Sequence, residues 1–255
     1  MTIKTKSSPV NGRYLYAVVT TNGTPRNLGP LGIGNQPVYT ISDGPVSAVV
    51  SNVPDMKIRP QRRNLAAHQE VLKRLMTETT PLPMAFGIIA DGDNAVADIL
   101  ARHRSLFVAQ CKRVSGKVEM GLRVAWDVDN IFNYFINAHS ELRMARDTYL
   151  NTQHEPCQED KLQLGRLFDQ LLQEDRENLT DQVETSLQGY CHEIKRGKYR
   201  NERDVMNLSC LVGREAEERF EEGVLKAAGK FDNNFVFDFN GPWAPHNFVE
   251  IELEI

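Results

Sequence analysis

The chain switches between two hydrophobic rhythms, and the order of the switches predicts its architecture. Residues 13–19, RYLYAVV, are rich in β-branched and aromatic side chains, the composition of a buried strand. A Gly/Pro-rich connection over 20–37 has no helical period. VYTIS (38–42) and VSAVVSNV (46–53) flank Asp43-Gly44-Pro45, which reads as a hairpin. Over 61–79 the rhythm changes: Leu65, His68, Leu72, Leu75 and Met76 recur at three to four residues and share one helical face. The prolines of PLPMAFG (81–87) end that helix and leave a short strand-like segment. A second helix is predicted over 94–113, with Asp93 or Asn94 as its N-cap.

Gly116 opens the most regular strand. Val118, Met120, Leu122 and Val124 face one side, and Lys117, Glu119, Gly121 and Arg123 face the other. Asp127 or Asp129 is expected to cap the next helix, whose Ile131, Phe132, Phe135, Ile136, Leu142 and Tyr149 form a broad apolar stripe. NTQHEPCQED interrupts it. A charged helix of about 30 residues follows, carrying Leu164, Phe168, Leu171, Leu172, Leu179, Val183 and Leu187. After the basic loop KRGKYR (195–200) come a strand over 205–213, a helix over 214–230 and the strand NFVFDFN (234–240). Beyond the prolines of GPWAPHNF (241–248), Val249, Ile251, Leu253 and Ile255 alternate strictly with Glu250, Glu252 and Glu254. This predicts a last strand with one apolar and one acidic face.

The order of elements gives an α+β fold with two domains. Residues 1–114 form a mixed N-terminal domain, and residues 115–255 a split βαβ, ferredoxin-like domain with a helical insertion at about 150–200.

Composition narrows the function classes. The chain has 255 residues, is 41% hydrophobic and 25% charged, and so can build a real core. A net charge of −4 argues against a nucleic-acid binder that works by neutralising phosphates. No apolar run approaches the length of a membrane span, and the first residues lack the apolar core of a secretory signal. Four scattered cysteines without CxxC spacing suit a reducing compartment.

Candidate chemistry is sparse. The glycines of GPLGIGN (29–35) match neither GxxxxGK[ST] nor GxGxxG, and HQEVL (68–72) is not HExxH. The acids of ADGDNA (90–95) lack the ligand spacing of a calcium loop. His154, Cys157, Cys191 and His192 are ligands of the right kind for zinc, but neither pair has a structural-zinc spacing. His68 sits on an apolar helix face, where a hydrogen-bonded core histidine is expected; a general base would need a nucleophile, and no GxSxG elbow is present.

Six stretches carry a resemblance. RYLYAVV, GPVSAVVS (44–51), His68 followed by PLPMAFG, GKVEMGLRV (116–124), NLSCLVGR (207–214) and GPWAPHNF occur in the order and spacing of the gas vesicle protein F/L family (GvpF/GvpL). The resemblance covers about residues 13–250, and the absence of a further extension after the acidic tail favours F. It implies an accessory or minor structural protein of gas vesicle assembly, without catalytic activity or cofactor, located at the vesicle. Its implied partners are the small hydrophobic shell protein and other accessory proteins, with the shell protein held soluble during nucleation. Surfaces expected to meet a partner are the aromatic C-terminal segment with Trp243, Phe248, Val249, Ile251 and Leu253, and the amphipathic helix at 159–188. The alternative is a small enzyme or ligand-binding protein with His68 or the His154/Cys157 group in its site.

Overall fold

The computed structural model describes residues 12–21, 26–54, 57–151 and 158–251. Contacts divide it into two compact units. The first runs up to Glu119 and takes in the chain again from Pro242; the second spans Met120–Gly241. A boundary drawn at residue 114 from the order of elements places the whole remainder in the second unit. The difference lies in the terminal segment, whose Ala244 packs in the first unit's core.

In the first unit β1 (Gly12–Thr20), β2 (Asn27–Gly29), β3 (Val38–Asp43), β4 (Val46–Val53), β5 (Leu82–Pro83) and β6 (Ile89–Asp91) form one sheet. Its order is β2-β3-β4-β1-β5, with β6 also pairing with β1. The predicted hairpin is β3–β4, antiparallel from Val38↔Ser51 to Asp43↔Val46, and Gly44 takes a φ of 58° in its turn. That left-handed angle suits a residue without Cβ. The helices are α1 (Arg62–Met76), α2 (Gly92–Arg102) and α3 (Arg104–Val114).

Tyr14, Tyr16 and Val19 of β1 pack with Val71, Leu72 and Leu75 of α1 in one core. Leu15 and Val18 are buried as well, and β1 also contacts α2 and α3. The strand is thus buried on both faces, as its unbroken apolar run predicts. The helix expected over 94–113 is two helices, because His103 leaves helical geometry at φ −107°, ψ 16°. Neither Asp93 nor Asn94 caps α2; its N-cap is Asp91, without a side-chain bond, and Asp93 instead binds Arg13 Nε at 2.6 Å.

The second unit contains β7 (Lys117–Trp126), α4 (Ile131–Ala138), α5 (Ser140–Asn151), α6 (Gln158–Leu187), β8 (Glu193–Arg196), β9 (Asp204–Gly213), α7 (Glu217–Ala228) and β10 (Phe235–Trp243). Its sheet has the order β10-β7-β9-β8. Asn130, not Asp127 or Asp129, caps α4 by accepting from Asn133 N–H at 2.9 Å. The stripe expected over 131–149 is split between α4 and α5 at His139, whose φ of −111° and ψ of 112° are extended. β8 falls partly in the segment read as a basic loop; it pairs with β9 from Glu193↔Leu211 to Arg196↔Leu208. Its charged sequence hides it, because strand β8 lies at the sheet edge where polar side chains are tolerated.

Arg176 of α6 is buried at 5% exposure and is satisfied by carbonyls: its Nε donates to Asp204 O at 2.8 Å and its Nη2 to Glu202 O at 2.9 Å. Asp204, itself fully buried, accepts from Arg123 Nη2 at 2.6 Å. These bonds brace the loop before β9.

α7 meets a ring so closely that Gly223 has no room for a side chain: a Cβ there would lie 2.6 Å from Tyr190 Cγ, the root of the ring. Gly223→Ala is therefore expected to destabilise the protein by about 1–3 kcal/mol, by overpacking that outweighs the helix propensity gained. Urea unfolding checks it; an unchanged or raised midpoint would show that Tyr190 moves aside without cost.

Candidate interaction surfaces

His68 lies in a closed polar network. Its Nδ1 is 2.9 Å from Tyr14 Oη, which also accepts Gly87 N–H at 3.2 Å. The tyrosine therefore gives its proton to Nδ1, and the Nε2–H of the neutral ring faces the Met84 carbonyl. Beside it, Tyr16 Oη accepts Ile33 N–H at 2.8 Å and meets Ser51 Oγ at 2.8 Å. Burial, and then the nearby His246, lower the His68 pKa to about 4, against the pull of the Met84 carbonyl. Burial also raises the pKa of both tyrosines. Every polar atom of this cluster that could serve a reaction is occupied in joining β1, β4, α1 and the segment after β5.

Two members of the zinc quartet, His154 and Cys157, lie outside the described residues. Of the others, the Cys191 thiol points to Leu187 O at 3.6 Å, and the backbone N–H of His192 donates to Leu211 O at 2.7 Å. Among the described residues no group of three or more potential ligands is gathered. No described helix is long and apolar enough to cross a membrane.

The C-terminal segment departs from its sequence reading. Pro242 does not end pairing: β10 runs through it to Trp243, with Gly241 at φ 138°. An edge strand tolerates this, since the missing N–H can face away from the ladder. After β10, Ala244 enters the core of the first unit, and a 3₁₀ turn at His246–Phe248 buries Phe248 completely. Its carbonyl accepts from Arg113 Nη1 at 3.0 Å. Phe248 thus has no surface to offer a partner. Trp243 is 37% exposed, with the Lys73 ammonium 5.8 Å from its ring centroid. Val249 and Ile251 are half-buried and belong to no strand; the rest of the predicted last strand, Leu253 included, lies outside the described residues.

The alternation of β7 puts Glu119 on its polar face, yet the residue is only 6% exposed. Its Oε1 accepts from Asn247 Nδ2 at 2.6 Å and its Oε2 from Asn247 N–H at 2.9 Å. The two residues are 128 positions apart, and no local pattern signals the pairing.

Exposed apolar side chains gather on α5 and α6. Met144, Leu150 and Leu162 are 63%, 65% and 47% exposed. Between the helices runs a groove of about 390 Å³, floored by Ala145, Tyr149, Leu164 and Leu167. These three side chains lie off the stripes by which the helices pack, so they remain as exposed apolar surface.

Comparison with known proteins decides the family. Residues 12–250 match the model of the gas vesicle synthesis protein GvpL/GvpF family. The chain belongs to that family. Gas vesicle protein F of a Streptomyces species is 27% identical over 239 residues, covering 93% of this chain and 99% of the relative. Gas vesicle protein F of Dolichospermum flosaquae is 24% identical over 94% of this chain and 98% of its own length. The GvpF crystal structure from Anabaena sp. PCC7120 superposes with a TM-score of 0.82 at 23% identity, over 95% of this chain and all of that one. GvpF of Microcystis aeruginosa gives 0.77 at 21% identity. These likenesses establish the mixed α+β fold and favour the F branch of the GvpL/GvpF family over the L branch. Membership brings with it a role in gas vesicle assembly.

Proposed function

We propose that the chain is a non-enzymatic assembly factor that binds the small hydrophobic shell protein of the gas vesicle during nucleation and prevents its aggregation. The observation that carries this reading is the exposure of three large apolar side chains, Met144, Leu150 and Leu162, on the two helices that enclose the α5–α6 groove. A shell subunit must be apolar on its gas-facing side, so an unassembled copy exposes aggregation-prone surface that a partner of matching character would cover. The GvpF names of the relatives point to the same organelle.

The scaffold supports this assignment. In the second unit the first and third strands in chain order, β7 and β9, are central, and the fourth and second, β10 and β8, lie at the edges. That is the split βαβ order, with α4–α6 standing in its first crossover as a helical insertion. An insertion of this kind projects apolar surface without disturbing the sheet. The closed network around His68 weighs against the alternative of an enzyme, because a general base needs a free nitrogen at an accessible site.

Replacing Leu150 and Leu162 by aspartate tests the proposal. Both are exposed, so the fold should tolerate the change. Co-purification of tagged shell protein is expected to fall at least ten-fold, and vesicle number in a complemented deletion host to fall with it. Full shell-protein binding by a folded double variant would overturn the reading.

A further inference from the structure

The first unit carries a basic groove that the assembly reading does not use. It has a volume of about 620 Å³ where Gly32–Gln36 and the end of β4 face the start of α1. It continues into a second hollow of about 400 Å³, which shares Pro54, Ile58, Arg63 and Asn64 with the first. Val53, Ile58 and Ala67 make an apolar floor, and Lys57, Arg59 and Arg63 stand along the rim. No carboxylate lines either hollow among the described residues.

Four cations, Lys57, Arg59, Arg62 and Arg63, fall within seven residues of a chain whose net charge is −4. None of their side chains makes an ion pair or hydrogen bond with a described residue. Nor do they help α1. The helix has no acid in its first turn and no side-chain cap, so Arg62 and Arg63 add like charge at its positive end. Four cations without a partner among the described residues, at an unfavourable position, are not explained by the stability of the fold.

The matching pattern occurs in the same chain. At the end of VEIELEI (249–255), Glu252 and Glu254 alternate with Leu253 and Ile255. Laid out in extended form, such a segment turns an aliphatic row to one side and a row of carboxylates to the other. An apolar floor beside a cationic rim offers a partner to each row.

We infer that the basic groove of one molecule receives the acidic C-terminal segment of a second copy, giving a head-to-tail association. Groove and segment are different surfaces, so the contact is heterologous: each molecule that donates its segment keeps its own groove free. Such a contact propagates into rings or open chains instead of stopping at a symmetric dimer. This would bring several copies, each with its own α5–α6 surface, to one place. The inference rests on the first unit and does not depend on what α5 and α6 bind.

Sedimentation of the full chain from low to high micromolar concentration tests it, with two charge-reversed variants. The groove variant is Arg59→Glu/Arg63→Glu and the segment variant is Glu252→Lys/Glu254→Lys; the two arginines are exposed, and the two glutamates lie outside the described residues. The wild type should grow past dimer mass with concentration and revert to monomer in about half-molar salt. Each variant alone should be at least ten-fold weaker in self-association. Mixed together, the variants join a reversed groove to a reversed segment and leave a native groove facing a native segment, so complexes should reappear in the mixture. A monomeric wild type at all concentrations overturns the proposal, since it means that the groove holds its own chain's segment or an unrelated partner. Self-association that neither variant weakens overturns it equally. Circular dichroism of each variant separates loss of contact from loss of fold.

Discussion

Truncating Phe248 to alanine will destabilise the protein by about 3–5 kcal/mol, the range for removing a large ring from a closed core. Phe248 is fully buried although it stands close to the last residue of the sequence. The lost ring removes its transfer free energy and leaves a cavity, but the position adds to that. The 3₁₀ turn at His246–Phe248 also places the Asn247 N–H and Nδ2 on the buried carboxylate of Glu119. If the turn loosens, Glu119 is left in the interior without its donors, and a buried charge deprived of partners costs more than a neutral group. Asn247→Ala separates the two contributions, because it keeps the ring and removes one donor; it should cost about 1–3 kcal/mol. Urea unfolding measures both. A loss below about 1 kcal/mol in Phe248→Ala would mean that the terminal segment merely lies on the first unit and does not hold it.

Acidification will destabilise the wild type more than a His68→Gln variant. The folded protein holds His68 neutral, with its pKa lowered to about 4, whereas the unfolded chain has the ordinary value of 6.5. Above pH 6.5 neither state binds the proton, and the histidine contributes no pH dependence. Between pH 6.5 and 4 the unfolded state takes up a proton that the folded state refuses, so stability falls as pH falls. From about pH 7.5 to about pH 4.5 the expected loss from this residue is about 2.5 kcal/mol. The glutamine variant will be less stable at neutral pH, having lost part of the bond to Tyr14. The pH-dependent part of its unfolding free energy should nevertheless be smaller than the wild type's by that amount. Equal slopes for the two proteins would show that His68 takes a proton inside the folded state.

Both predictions concern contacts that join distant parts of the chain, and here the sequence and the structure separate. Periodicity was enough for β1, the β3–β4 hairpin, α1, β7, α6 and β9, because each presents a long, uninterrupted pattern whose period is set by its own backbone geometry. It failed where a single residue breaks the period. His103 and His139 each divide one predicted helix into two, and neither is a glycine or proline that would announce a break. It failed again at β8, since an edge strand buries too little to impose an apolar pattern.

The interaction surfaces were legible only in outline. The apolar stripe of α6 is plain in the sequence, but which turns of it are covered is not: Leu171, Leu172, Val183 and Leu187 are buried while Leu164, Phe168 and Leu179 are half-buried. The same holds for the aromatic end of the chain, where Phe248 is buried and Trp243 is left half in water. The basic run at 57–63 is visible as composition, yet its position beside an apolar floor is not, because the floor is built from β4, α1 and the Gly32–Gln36 turn.

By itself the sequence determined the α+β class, the absence of familiar catalytic motifs, and a spaced set of stretches sufficient to indicate the family. These are local or ordered features: a period, a spacing, a turn residue. Only the tertiary structure decided that Ala244 and Phe248 serve the first unit, that Glu119 anchors the turn between them, and that His68 is fully engaged. Each of these depends on groups brought together across 54 to 135 positions of chain, and burial and hydrogen-bond satisfaction are properties of that assembled surrounding, not of the residue type.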